Sequence, residues 1–233
     1  MKIAISTLLT DSATSTVMRK LLLIVSVLSA IQFSHAQDVS FTADVAKFAA
    51  KDQAESSLLA ANPILFIGSS SFTKWQDVGA YFPDKKILNR AFGGSRLTDQ
   101  IYFLPEVVLK YQPKKIILYC GENDVAGGAN SEVVLDRLQI WFRQVRKNLP
   151  DCEIVYLSIK YSPSREKFFP VVREANQKIQ AWLAQQPNAK YADITACMQD
   201  ANGKLRTDIF TKDMLHMNPE GYKLWQKVLA PYL

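Results

Sequence analysis

Residues Ile64 to Trp75 read ILFIGSSSFTKW. Four apolar residues, Ile64 to Ile67, stop abruptly at Gly68 and three consecutive serines. A short continuous apolar run bounded by turn residues is the pattern of a strand buried on both faces. A glycine with small polar residues at its end marks a sharp turn. Such a turn is either merely polar or it presents one serine hydroxyl at a site, and the flanking sequence distinguishes the two.

Outward from this run, strand-like and helix-like patterns alternate. Ile87–Asn89, Lys115–Cys120, Glu153–Ile159 and Tyr191–Ile194 are further short apolar or β-branched runs. Helical patterns cover Asp38–Leu59, Leu97–Tyr111, Ser131–Asn148 and Arg165–Gln186. Asn218-Pro219 opens an amphipathic stretch to Leu233, with Asn as N-cap and Pro at the first helical position. Continuous rather than alternating strands, each followed by a helix, predict an α/β fold. The expected architecture is a three-layer, flavodoxin-like sandwich of about five parallel strands with helices on both faces.

In such a sheet, ligands bind outside the carboxyl ends of the strands. The segments expected there are Gly68-Ser69-Ser70-Ser71, Arg90 to Arg96, Gly121-Glu122-Asn123-Asp124 and Lys160-Tyr161-Ser162, with Asp213-Met214-Leu215-His216 just before the last helix. A serine hydroxyl needs a base to become a nucleophile, and imidazole is the usual one. Asp213, three residues before His216, is spaced to reach the imidazole Nδ1 and stabilise its charged form. The plain alternative is a surface pair beside a helix cap. Acyl transfer also needs donors aimed at the developing oxyanion. Gly94 offers an unobstructed N–H, Asn123 a side-chain amide, and Ser70 an N–H at a helix start. Each has a simpler reading as a turn or cap residue. Together they supply every group that the chemistry requires.

The 233 residues are 48% apolar and carry a formal net charge of +6, an ordinary globular composition. The basic residues are spread along the chain, so no nucleic acid partner is expected. Met18-Arg19-Lys20, the apolar run from Leu21 to Ile31 and the small-x-small triplet Ser34-His35-Ala36 read as a secretory signal spanning residues 1–36. Met18 is a candidate for the true start. An uncleaved anchor is the competing reading of this segment. Cleavage after Ala36 predicts a secreted or periplasmic protein of one domain, residues 37–233, with no stable membrane insertion and His216 as its sole histidine. Cys120, Cys152 and Cys197 are odd in number and lack zinc-ligand spacing, so unbridged, mostly buried thiols and no metal are expected.

Four ordered blocks resemble the SGNH hydrolases, also called the GDSL esterase/lipase family. The family's Gly-Asp-Ser falls on Gly68-Ser69-Ser70, its second-block glycine on Gly94, its Gly-x-Asn-Asp on Gly121 to Asp124, and its Asp-x-x-His on Asp213 to His216. The resemblance implies Ser70 as nucleophile, His216 as base and Asp213 as its orienter. It implies an oxyanion hole of Ser70, Gly94 and Asn123, and no cofactor. Ser69 departs from the family's Asp, which leaves Ser71 as a second candidate nucleophile. A metal-dependent hydrolase built on Glu122, Asp124, Asp213 and His216 ranks lower, because a second histidine is missing. Short connections favour a small acyl group. The expected function is hydrolysis of short acyl esters on a small molecule or glycan, with carbohydrate O-acetyl groups foremost. Trp75, Tyr161 and Trp141 are candidate sugar-stacking faces, and Arg96 and Lys160 candidate rim charges. The alternatives are a lipid acyl or acetyl hydrolase and a non-catalytic binding module on the same fold.

Overall fold

The computed structural model describes residues 41–233, so the expected signal at 1–36 lies outside the described residues. Five strands form one sheet: β1 (Ile64–Gly68), β2 (Ile87–Asn89), β3 (Lys115–Tyr119), β4 (Glu153–Leu157) and β5 (Ala189–Ala192). Every pairing is parallel, in the order β2-β1-β3-β4-β5. This is the flavodoxin-like order, with its switch point between β1 and β3, where the outward progression of strands reverses. Residues 44–233 form one compact unit. Of the preceding unit, only 41–43 are described, all helical. Among the described residues, no helix is long and apolar enough to cross a membrane.

The strand ends differ from expectation where side chains replace strand partners. β4 stops at Leu157 because the Asn176 side chain accepts from the Ile159 N–H and donates to its carbonyl, both at 2.8 Å. β5 begins earlier and stops at Ala192, since the Ser158 hydroxyl takes the Ile194 N–H at 2.9 Å. The stretch expected to be one helix from Leu97 to Tyr111 is three pieces: Leu97–Tyr102, Leu104–Val107 and a 3-10 turn, Leu109–Tyr111. Pro105, in the first turn of the second piece, has no N–H to donate back and disfavours a helical residue before it. The Ser131–Asn148 helix matches its predicted bounds, and its Asn130 cap accepts from the Val133 N–H. The last helix, Pro219–Leu229, opens on the predicted cap, Asn218 accepting from Gly221 N–H at 3.1 Å.

One face of the sheet is closed by aromatic packing. Trp75 stacks on Tyr222 with ring centroids 4.7 Å apart, and Phe72 and Tyr119 pack against Trp225. Contacts of this kind contribute about 0.5–1.5 kcal/mol each beyond area burial. They lock the segment after β1, which carries Ser70, to the last helix, which directly follows the loop that carries His216. Trp75 and Trp141 are fully buried, so neither offers a face to a sugar. Cys120, Cys152 and Cys197 are unbridged, the first two buried.

Candidate active site

The turn after β1 is possible only with glycine at its head. Gly68 has φ +132°, and a Cβ there would lie 1.9 Å from the Tyr119 carbonyl oxygen of neighbouring β3. The turn feeds at once into a short helix, Ser70–Thr73, with Ser69 as N-cap. Ser70 is therefore the first helical residue, and its N–H has no acceptor inside that helix. Ser71 is 1% exposed, whereas Ser70 is partly open to solvent.

His216 Nε2 lies 2.9 Å from Ser70 Oγ, and its Nδ1 lies 2.6 Å from Asp213 Oδ2. The loop that carries the pair is heavily cross-braced. Asp213 Oδ1 accepts from the Leu215 and His216 N–H groups at 2.9 Å and from the Thr211 hydroxyl at 2.7 Å. Partial burial works to raise the Asp213 carboxyl, but these bonds and the His216 ring prevail and hold it well below the usual carboxylate range. It is an anion at any working pH, which fits it to orient the imidazole and stabilise its positive charge. Between them, Met214 adopts φ +53°, a strained conformation for a side-chain-bearing residue. Its carbonyl accepts from the Ser164 N–H at 3.1 Å and hydroxyl at 3.0 Å.

Gly94 is exposed with φ +84°, and its N–H has no acceptor among the described residues. The neighbouring Gly93 faces Ser70, whose Cβ would be 3.8 Å from a Cβ added there. Asn123, on the short helix Glu122–Ala126, donates from Nδ2 to the Ser95 carbonyl at 3.0 Å, which brings its amide beside the Gly94 loop. Asp124 braces the same loop, accepting from the Leu97 N–H at 3.0 Å and from Arg137 at 2.7 Å. Burial pushes the Asp124 carboxyl up, against those bonds.

The structure thus brings Ser70, Asp213 and His216 into one hydrogen-bonded row, with Gly93 of the Gly93-Gly94 turn facing Ser70 and Asn123 tied to the same loop through Ser95. Two rim expectations are corrected. Trp75 belongs to the core. Lys160 is 1% exposed and pairs underneath the site with Glu122, because a lysine at the end of a buried strand must find a counter-charge. Arg96 stays half-buried with its guanidinium against Gly127, and Tyr161 is half-buried edge-on to Phe169. The carboxylates of Glu122 and Asp124 are engaged by Lys160 and Arg137, not grouped with His216. Sequence reading missed Arg165, whose Nη2 donates to Asn123 Oδ1 at 3.0 Å. The lone Lys160 after an apolar strand was the one signal of a charged network there.

The parallel five-stranded sheet with these loops at its carboxyl edge is an α/β fold of the flavodoxin-like class. The chain belongs to the GDSL-like Lipase/Acylhydrolase family, whose model matches residues 65–224, a family of ester hydrolases. No curated protein matches the sequence. Among solved structures, a Streptococcus pneumonia protein provisionally named a platelet activating factor superposes with a TM-score of 0.67 at 22% identity, over 88% of this chain and 98% of that one. A GDSL-like lipase from Bacteroides thetaiotaomicron gives 0.63 at 18%, over 77% and 95%. A variant of an acetyl-xylooligosaccharide esterase from Geobacillus Stearmophilus gives 0.58 at 14%, over 72% and 92%. At these identities the likeness establishes the fold.

Proposed function

We propose that the protein is an exported serine esterase that removes short acyl groups, carbohydrate O-acetyl groups foremost. The observation that carries this reading is the unbroken row Asp213–His216–Ser70, at 2.6 and 2.9 Å. Ser70 Oγ attacks the ester carbonyl carbon as its proton passes to His216 Nε2. Asp213 stabilises the imidazolium. The oxyanion accepts hydrogen bonds from the N–H groups of Ser70 and Gly94 and from the Asn123 amide. His216 then protonates the departing alkoxide. A water attacks the acyl-enzyme with His216 again as base, releasing the acid and restoring Ser70. No cofactor enters the cycle. The carbohydrate substrate rests on the sequence-based expectation of a small acyl group, and the fold's likeness to an acetyl-xylooligosaccharide esterase is in keeping with it. Export rests on the signal-like residues 1–36, and the N-terminal sequence of mature protein tests it.

A second reading, a lipid acyl or acetyl hydrolase, is favoured by a groove of about 330 Å³ beside Gly93. Phe48, Ala91 and Phe92 line it together with Lys51, Lys47 and Asp44, the last two paired at 2.6 Å. Its volume is at the low end for a small-molecule site, and its apolar lining suits an acyl chain. Hydrolysis of p-nitrophenyl esters from acetate to decanoate, beside acetylated xylan and a lysophospholipid, separates the two. The first reading expects acetate and acetylated xylan to be best. A maximum at longer chains, with turnover of the lysophospholipid, selects the second. No turnover of any ester by wild-type protein would leave a non-catalytic binding module.

A further inference from the structure

Behind Asn123 lies a buried charged network that the reaction above does not use. Glu122 is almost wholly buried, and its carboxylate is hydrogen-bonded by Lys160, by the Tyr119 hydroxyl at 2.8 Å and by the Ser162 hydroxyl at 2.5 Å. Arg165 Nη1 sits 3.7 Å from the same carboxylate, while Nη2 reaches across to Asn123 Oδ1 at 3.0 Å. Burial works to raise Glu122, but the charges of Lys160 and Arg165 and the hydrogen bonds of Lys160 and Ser162 outweigh it, so the group is an anion. Both cations favour that anion, and one of them is also the partner of the Asn123 amide.

A side-chain amide has two orientations, related by a half-turn that exchanges its oxygen and nitrogen. At Asn123 the two are far from equivalent. In the observed one, Nδ2 donates to the Ser95 carbonyl and Oδ1 accepts from Arg165. In the other, two acceptors would meet at Ser95 and two donors at Arg165. With one Nδ2 hydrogen committed to Ser95, the second remains for the oxyanion. A guanidinium on Oδ1 also polarises the amide and makes that remaining N–H a stronger donor. The Ser95 contact alone disfavours the half-turn, but it does not hold the oxygen end. Arg165 does.

We propose that Arg165 is a positioning residue for the oxyanion site, holding the Asn123 amide with its donor inward, and that the Glu122–Lys160 pair holds Arg165 in turn. The proposal rests on the serine esterase reading above. The neighbouring Ser164 bonds the Met214 carbonyl, so this one segment braces both the Asn123 side of the site and the loop that carries His216.

The test is a double-mutant cycle on a small neutral ester. Loss of the Asn123 donor itself, in Asn123→Ala, should cost roughly a hundred- to a thousand-fold in kcat. Arg165→Ala should cost part of that, roughly ten- to a hundred-fold, with KM unchanged. In the Asn123→Ala background the same substitution should change kcat by no more than about two-fold, because its target is gone. Arg165→Met, which retains the aliphatic packing, carries the same cycle should the alanine variant not fold. An equal loss in both backgrounds would overturn the inference and make Arg165 a general structural residue. A raised KM confined to anionic esters would also overturn it, in favour of direct substrate binding. Full activity of Ser70→Ala would sink the underlying esterase reading instead, so the two failures are distinguishable.

Discussion

Ser70 and Ser71 are adjacent hydroxyls with opposite surroundings. The sequence leaves the choice between them to a family resemblance, because Ser69 replaces the acidic residue that would fix the register. In the folded protein the choice is geometric: Ser70 Oγ lies 2.9 Å from His216 Nε2, while Ser71 is 1% exposed and its carbonyl accepts from the Tyr222 hydroxyl. Ser70→Ala is expected to lower kcat on the order of a million-fold, as loss of a nucleophile does. Ser71→Ala should keep nearly all activity and show its effect, if any, in the thermal midpoint. Both are read by ester turnover beside circular dichroism. The residues of the proposed triad stood out in the sequence because side chains able to serve as nucleophile, base and acid are few and chemically specific. Arg165 was not, since an arginine in a polar segment looks the same whether it is solvated or aimed at an amide oxygen.

At the scale of elements, the cap of the last helix does more than start a helix. Asn218 Oδ1 accepts from the Gly221 N–H, and its Nδ2 donates to the carbonyls of Asp208 at 2.7 Å and Phe210 at 3.2 Å. It therefore pins both ends of the loop that contains Asp213 and His216. Asn218→Ala should destabilise the protein by about 1 kcal/mol from the cap alone and should lower kcat as well, through a looser His216. Asn218→Asp keeps the cap acceptor but removes both donors, so it should recover stability more than kcat. Urea denaturation beside initial-rate kinetics checks the split. Asn-Pro made this helix start readable, and Pro105 is the local mark of the break at Phe103, whereas the early end of β4 was not readable. It depends on which long-range partner satisfies the backbone there, as Asn176 does for Ile159.

The whole molecule is tied together by a charge cluster that no local pattern announces. Arg90, directly after β2, is fully buried; it bonds Asp52 at 2.6 Å and Glu55 at 2.7 Å, and lies over the rings of Phe48 and Tyr111. This clamp fastens the helical segment 44–54, which lines the groove near Gly93, to the sheet. Arg90→Met should cost about 3 kcal/mol, the low end for a broken buried pair, because Glu55 and Lys110 are partly in water. Burial works to raise Asp52, but hydrogen bonds from Lys110, Arg90 and Tyr111 outweigh it and hold it below its ordinary value of 3.8. A carboxylate depressed in the folded state stabilises above its unfolded pKa and loses that contribution as pH falls through the folded value. The stability gap between wild type and Arg90→Met should therefore be full at neutral pH and narrow below about 3.8. A gap independent of pH would assign the loss to packing, not to the ion pair.

The sequence by itself determined the fold class, the order in which strands and helices alternate, and the residue types at the carboxyl edge of the sheet. Those follow from hydrophobic period, turn chemistry and the few side chains able to act as nucleophile, base or acid, all of which are local properties. Tertiary structure alone decided which of two serines faces His216, that Trp75 and Lys160 leave the rim for the interior, and that Arg165 and Arg90 find their partners 42 and 38 residues away in sequence. A buried charge or amide is oriented by whatever group stands across from it, and that group is supplied by the packing of distant segments.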